Sequence, residues 1–289
     1  MNEKVFSVLV LYNATQTEAE VAVNRLVELG TQVVVCNNSK YDVEINISDC
    51  VKVFNFRENL GIAKAQSLGM DWAFNNGADF VLQMDQDSEP DRNLPSKLLE
   101  CYHELTQNNY SVGLVGCQDY DKDTLEVNEA KVSKGQSVYC SEYISVSSVL
   151  SSGSLIPKEV YLQVGGMDDD LFIDAVDFEY CWRIKAAGYL VIKNNKAKLA
   201  HKLGDGNKKI LLFINVGVCS PIRHYYQFRN TLLLMKRGYV PIYWKISSLA
   251  KLLFKLFIYP FTLPDGYVRF KYMLKGIKDS LMGRVGIVT

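Results

Sequence analysis

No Cys-x-x-Cys pair occurs in this 289-residue chain, and its seven cysteines are scattered and odd in number. That argues against a disulfide framework or a zinc site and for a reducing compartment. No stretch reaches the roughly 18 uncharged apolar residues that a spanning helix needs. The best candidate, residues 246–263, is interrupted by Lys251, Lys255 and Pro260. The opening Met1-Asn2-Glu3-Lys4, followed by a short strand, lacks a signal-peptide pattern. Internal repeats and low-complexity linkers are missing too, and neither a Gly-x-Ser-x-Gly elbow nor a Ser/Lys pair offers a covalent nucleophile. Net charge is zero, but it is unevenly spread. Residues 236–289 hold ten Lys/Arg against two acids, so a +8 tail follows a body of −8.

The length suits one large domain, or one domain with an extension. The first half alternates apolar strands with amphipathic helices. Strands are expected near 6–12, 33–36, 51–56, 78–84 and 111–115, with helices near 17–29, 62–75 and 94–107. This order predicts an α/β fold with a mostly parallel, doubly wound sheet flanked by helices. Residues 119–147 lose the pattern and read as a loop or hairpin excursion. Ser151-Ser152-Gly153-Ser154 begins a new segment, a helix falls within 171–188, a strand follows at 189–192, and the chain is helical, aromatic and basic from about residue 222.

The strongest chemical signal is Asp85-Gln86-Asp87-Ser88, which follows the apolar run Phe80-Val81-Leu82-Gln83-Met84. It places two carboxylates at the C-terminal end of a strand, the edge where open α/β sheets bind ligands. Asp-x-Asp there is a hard-oxygen site for Mg²⁺ or Mn²⁺; a solvated turn is the competing reading. A second acidic cluster, Asp174, Asp177 and Glu179, sits among bulky apolar residues at a helix start. Helix-dipole stabilisation accounts for acids there, and a partly buried general base accounts for them equally. His201 ends a strand before a glycine-containing loop, either as a surface histidine or as a ligand. Arg223 and Arg229, interleaved with tyrosines, either grip a diphosphate or decorate an amphipathic helix.

In this order and spacing, Leu11-Tyr12-Asn13, Cys36-Asn37-Asn38-Ser39, Asn59-Leu60-Gly61-Ile62-Ala63, Asp85-Gln86-Asp87-Ser88, Ser152-Gly153-Ser154, Gly165-Gly166-Met167-Asp168 and residues 172–183 resemble the inverting family two of nucleotide-sugar glycosyltransferases. That family has the GT-A fold, and the likeness is strongest to its bacterial rhamnosyltransferase branch. It covers roughly residues 5–230. The resemblance implies a nucleotide pocket formed by Tyr12, Asn13 and Asn38, with Asn59, Gly61 and Lys64 beside it. It implies donor contacts from Asp85, Gln86, Ser152 and Gly153, and Mn²⁺ or Mg²⁺ held by Asp87, Asp85 and His201. It makes Asp177 the catalytic base with Glu179 as its neighbour, and it places Arg223, Tyr226 and Arg229 over the diphosphate. Two positions depart from the family pattern: Asn37 stands where Asp is usual, and Ser67 where Asn is frequent.

The implied reaction is metal-dependent inverting transfer, with L-rhamnose from dTDP-L-rhamnose as the first choice of donor. UDP-galactofuranose, UDP-galactose and GDP-fucose are alternatives, and a sugar-nucleotide-binding scaffold subunit is the non-enzymatic one. The implied acceptor is a lipid-linked saccharide of O-antigen or capsule synthesis. A nucleotidyltransferase would want a Gly-rich phosphate loop after the first strand, which Leu11-Tyr12-Asn13-Ala14-Thr15 lacks. Residues 1–235 are expected to form the catalytic domain and 236–289 a basic amphipathic helical extension. The extension reads as an interfacial element on an anionic membrane, peripheral at the inner face of the cell membrane with the body in the cytoplasm; packing on the catalytic domain is the competing reading. Nucleic acid is not an expected partner, because the −8 body would repel phosphates.

Overall fold

The computed structural model describes residues 3–45, 50–127, 135–201, 207–210 and 214–288. The elements run β1 (Val5–Leu11), α1 (Gln16–Glu28), β2 (Gln32–Asn37), β3 (Val51–Asn55), α2 (Ile62–Asn75), β4 (Phe80–Asp85), β5 (Glu89–Pro90), α3 (Leu94–Gln107) and β6 (Val112–Tyr120). They continue through β7 (Gln136–Val138), β8 (Cys140–Ser145), β9 (Ser154–Pro157), α4 (Lys158–Val164), a short 3-10 turn (Asp169–Leu171), α5 (Val176–Ala186) and β10 (Leu190–Ala200). A small hairpin, β11 (Asn207–Ile210) and β12 (Ile214–Gly217), precedes α6 (Pro221–Met235), α7 (Ile242–Thr262) and α8 (Gly266–Leu281).

One ten-stranded mixed sheet carries the fold, in the order β3-β2-β1-β4-β9-β6-β10-β8-β7, with β5 on β10. The β1, β2, β3 and β4 strands are parallel, as their helical crossovers require, and β6 runs parallel to β10. Alternate residues of β1 feed opposite faces. Val8 and Val10 join the core under α2 and α5, while Leu9 and Leu11 join the core under α1 and α3. Covering both faces makes these strands apolar throughout. Helix α1 starts at a full capping box, with Thr15 accepting from the Glu18 amide and Glu18 closing back on the Thr15 amide.

The sheet departs from the sequence expectation at its centre. Strand β9 enters antiparallel between β4 and β6, entirely buried. Its four residues are too few to show a period, so the sequence marked only a new segment. Strand β10 runs on to Ala200, well past residue 192. The register shift between Asn194 and Lys198 lets a lysine- and asparagine-rich stretch continue the strand without burying its charges. The excursion expected over 119–147 contains the β7–β8 hairpin.

The last three helices pack together around Phe228, Leu252, Tyr259, Leu263 and Met273. Helix α8 is tied to α6 by buried polar groups. Arg269 donates to the Cys219 and Pro264 carbonyls and meets the His224 ring, and Asp279 accepts from the Tyr225 hydroxyl. Among the described residues no helix is long and apolar enough to cross a membrane.

Candidate active site

The C-terminal ends of β1, β2 and β4 are knitted into one floor. The Gln86 side chain accepts from the Tyr12 amide (2.7 Å) and donates to the Tyr12 carbonyl (3.4 Å). Asn38 accepts from the Leu60 amide (2.7 Å) and donates to Asn59 (3.0 Å), whose side chain in turn accepts from the Gly61 amide (3.0 Å). The Asn13 amide, at positive φ, donates to the Ser39 hydroxyl (2.8 Å). Asn38 and Asn59 therefore tie the loop before α2 to the end of β2 with their side-chain amides. Asn37 is fully buried and donates to the Tyr41 carbonyl and to Asn55, while its Oδ1 has no partner among the described residues. Lys64 is exposed on α2, close to Asp169 rather than in the cavity.

Asp85, Asp87 and His201 converge at the junction of β4 and β10. One ligand atom from each lies within 4.8 Å of the others. Two bridging hydroxyls fix the junction. Ser152 accepts from the Asp85 amide (3.1 Å), Ser88 meets Ser152 (2.8 Å), and Ser88 lies 3.0 Å from His201 Nδ1. The His201 amide donates to the Tyr120 carbonyl, which seats the residue at the strand end. Burial pushes the Asp85 carboxyl up to about 6; His201 opposes the rise and Asp87 adds to it. Two crowded carboxylates and an imidazole are a donor set that fits Mg²⁺ or Mn²⁺. The loop at 202–206, which contains the expected glycines, lies outside the described residues.

A cavity of about 340 Å³ joins this cluster to the second one, with Gln66, Asp85, Ser152, Asp177, His201 and Arg223 among its walls. Asp177 occupies the first turn of α5 and accepts from the Phe178 amide (2.9 Å). The helix N-terminus and that amide favour the carboxylate, but burial outweighs them and raises the group to about 6, with Asp85 and Asp174 adding repulsion. Asp174, which has no separate role in the sequence reading, accepts from one edge of the Arg223 guanidinium, from Nε (2.8 Å) and Nη2 (2.5 Å). Ser88 was equally missed as a contributor; its place directly after the acids was the available signal.

The approach to α5 is strained. Phe172, Asp174 and Ala175 all take positive φ without being glycine, at a cost of order 1–3 kcal/mol each. Asn230 of α6 holds this turn, its amide donating in a bifurcated set to the carbonyls of Leu171 (2.9 Å), Ile173 (2.7 Å) and Asp174 (3.0 Å). Gly61 makes the close packing possible, since a Cβ there would lie 2.6 Å from the Phe172 ring. Gly153, at φ +75°, similarly accommodates the Cys117 thiol, 2.3 Å from where its Cβ would sit.

Besides Lys64, three expected site residues lie away from this cavity: Arg229, Tyr226 and Glu179. Arg223 and Arg229 are six residues apart, so at 100° per residue they occupy different faces of α6. Arg229 is fully buried and donates to the carbonyls of Asp170, Leu171 and Gly286. Tyr226 is buried against Phe172, and its hydroxyl accepts from the Val288 amide. Glu179, two residues beyond Asp177, points to the other side of α5. There it pairs with Arg183 (2.9 Å) and Arg237 (3.3 Å) and accepts from Tyr239 (2.6 Å). Arg229→Met is expected to cost about 3–5 kcal/mol in chemical denaturation, because it removes the charge-assisted bonds of a fully buried guanidinium to the carbonyls of Asp170, Leu171 and Gly286. A loss below about 1 kcal/mol would mean that those bonds do not hold the turn.

Comparison with known proteins gives a consistent picture. The dTDP-rhamnosyl transferase RfbF of Shigella flexneri is 32% identical over 302 aligned positions, covering 99% of this chain and 97% of that protein. This chain belongs to the rhamnosyltransferase-like glycosyltransferases. No family model matches it. Among solved structures, GalNAc-T7 with UDP, GalNAc and Mn²⁺ superposes with a TM-score of 0.58 at 14% identity over 97% of this glycosyltransferase. TarS of S. aureus superposes with a TM-score of 0.51 at 14% identity over 86%. The chain spans 56% and 43% of those two proteins. Both likenesses concern the fold, which is GT-A.

Proposed function

We propose that this glycosyltransferase moves L-rhamnose from dTDP-L-rhamnose to a lipid-linked saccharide, with inversion at the anomeric carbon and with a divalent cation. The observation that carries the reading is the single cavity uniting Asp85, His201 and Arg223 with Asp177, a carboxylate whose affinity for protons suits a general base near neutral pH. The name of the Shigella relative supports the choice of donor.

Asp85, Asp87 and His201 would hold the cation, which when bound supplies charge neutralisation for the departing diphosphate. Arg223 adds a fixed positive edge on the same side. Asp177 takes the proton of the acceptor hydroxyl as that oxygen bonds to the anomeric carbon. The bond from that carbon to the diphosphate oxygen breaks, and the electron pair leaves with the nucleoside diphosphate. Attack opposite the leaving group inverts the centre in one displacement. Asn38, Asn59 and Gln86 hold the pocket floor that the nucleotide rests on, while Ser88 and Ser152 keep Asp85 and His201 in register.

The acceptor is placed at a membrane by α7. Ile242, Ile246, Leu249, Leu253 and Phe257 recur at three- and four-residue intervals and are all exposed, forming an apolar stripe on a basic helix. Such a face suits the interface of an anionic bilayer and peripheral attachment, in keeping with O-antigen or capsule assembly at the inner face of the cell membrane.

Calorimetric titration with dTDP, UDP and GDP, in Mn²⁺ and again in EDTA, tests the reading. Metal-dependent binding of dTDP, at least tenfold tighter than of the other two, is the expected result. Preference for UDP or GDP would reassign the donor, and binding of none would remove the catalytic reading.

A further inference from the structure

A second cavity, of about 200 Å³, lies between α5, α6 and α7 and shares Asp174, Ala175 and Phe178 with the catalytic cavity. The two are thus neighbouring compartments on either side of the strained turn before Asp177. The catalytic cavity holds the carboxylate–histidine cluster; the second has a different character. Lys251 and Lys255, one turn apart on α7, both line it. Lys255 is half-buried and donates to Gln227 (2.6 Å). Burial lowers its proton affinity, and Lys251 and Arg223 act in the same direction, while Cys219 and Asp174 oppose them. Lys251, Lys255 and Arg223 gather around the junction of the two cavities and outnumber its carboxylates, Asp174, which Arg223 already occupies, and Asp177. That excess suits an anion with more than one charge.

The cavity is also aromatic. Trp244 of α7 and Phe178 of α5 line it, and both rest on Trp182, with ring centroids 4.8 and 6.0 Å away. Fixed aromatic rings beside a pair of lysines suit a ligand with a sugar ring next to a charged group. Helix α7 itself supplies a third observation. Trp244, Ser248, Lys251 and Lys255 face inward to this cavity, while the exposed stripe from Ile242 to Phe257 lies on a different side of the same helix.

We propose that this second cavity is the acceptor's anion subsite, taking the diphosphate of a prenyl-diphosphate-linked saccharide between Lys251 and Lys255, with the saccharide against Trp244 and Phe178. The acceptor hydroxyl then reaches Asp177 through the wall that the two cavities share, while the prenyl chain leaves along the apolar side of α7. This rests on the transferase reading given above and adds to it the place and chemistry of acceptor recognition.

The test uses the full chain and a water-soluble short-prenyl-diphosphate-linked glucose as the probe, titrated calorimetrically in EDTA so that no metal can hold the diphosphate at Asp85 and Asp87. The wild type is expected to bind it, and to bind the corresponding alkyl glucoside, which lacks the diphosphate, at least tenfold more weakly. Lys251→Glu and Lys255→Gln are each expected to weaken the probe by roughly tenfold or more, and Asp87→Ala to leave it unchanged. Lys251 is exposed, so its charge reversal leaves folding intact even if Lys255→Gln does not. Tighter binding of the probe than of inorganic diphosphate assigns the site to the lipid-linked headgroup. Equal binding of inorganic diphosphate, equal binding of the alkyl glucoside, or unchanged affinity in both lysine variants would overturn the proposal. Because the probe is read without metal or nucleotide, a failed dTDP titration and a failed acceptor subsite are distinguishable.

Discussion

Asp177→Asn is expected to lower kcat by about 10²–10⁴-fold while leaving metal-dependent dTDP binding intact and making the protein more stable at pH 8. The first two effects follow from the position of Asp177 in the cavity, where it would take a proton and hold no part of the nucleotide. The third follows from its raised pKa, about 6 against an ordinary 3.8. A carboxyl whose folded-state pKa lies above its unfolded value binds its proton more tightly in the folded chain. Ionising it therefore costs stability as pH rises from about 4 to 6, and the whole cost persists above that window, at about 3 kcal/mol. Asparagine keeps an oxygen to accept from the Phe178 amide and carries no charge to bury. The wild-type kcat/KM profile should rise through an apparent pKa near 6, and the variant's residual rate should lack that limb. Near-normal turnover in the variant would remove Asp177 as the base; an unchanged melting temperature at pH 8 would mean that its charge is better solvated than its burial implies.

Asp87→Ala is expected to weaken nucleotide binding in Mn²⁺ by roughly a hundredfold, close to 3 kcal/mol, and to leave the weak binding seen in EDTA untouched. Asp87 is half exposed at the mouth of the cluster, so its loss should alter the metal site without disturbing the core. The same substitution also removes part of the repulsion that raises Asp85. If dTDP affinity in Mn²⁺ matched the wild type, Asp87 would lie outside the site, and His201 and Asp85 alone would have to account for any metal dependence. Both proteins should unfold at similar denaturant concentrations, which separates a lost ligand from a lost fold.

Much of the frame was legible from the chain. The α2 and α3 boundaries, 62–75 and 94–107, follow from helical spacing, closed for α2 by Asn76-Gly77. The Asp-x-Asp edge followed from an apolar strand ending in a turn. The structure then brought Asp85, Asp87 and His201 together although 114 positions separate the last two in sequence, a closure that residue type and strand-end position could suggest but not measure. What misled was proximity in sequence. Glu179 and Arg229 stand close to Asp177 and Arg223 along the chain, yet a helix turns 100° per residue and carries each to another face. Strand β9 was hidden for a different reason: four buried residues show neither alternation nor length.

The alternating order of strands and helices, the acids at a strand end, the acidic start of α5 and the sign of the tail can all be read along the chain. These are local properties, set by periodicity, turn chemistry and composition. Which of the charged groups share a cavity and which are spent on the scaffold emerges only when the chain is folded. Folding placed Arg223 at the site and Arg229 beneath the strained turn, and it turned one face of α7 inward with its lysines while leaving the apolar face outward. The reason is that a side chain's surroundings depend on what packs against its helix face from distant parts of the chain, and burial, which raises Asp177 toward neutral pH, exists only once those parts have met.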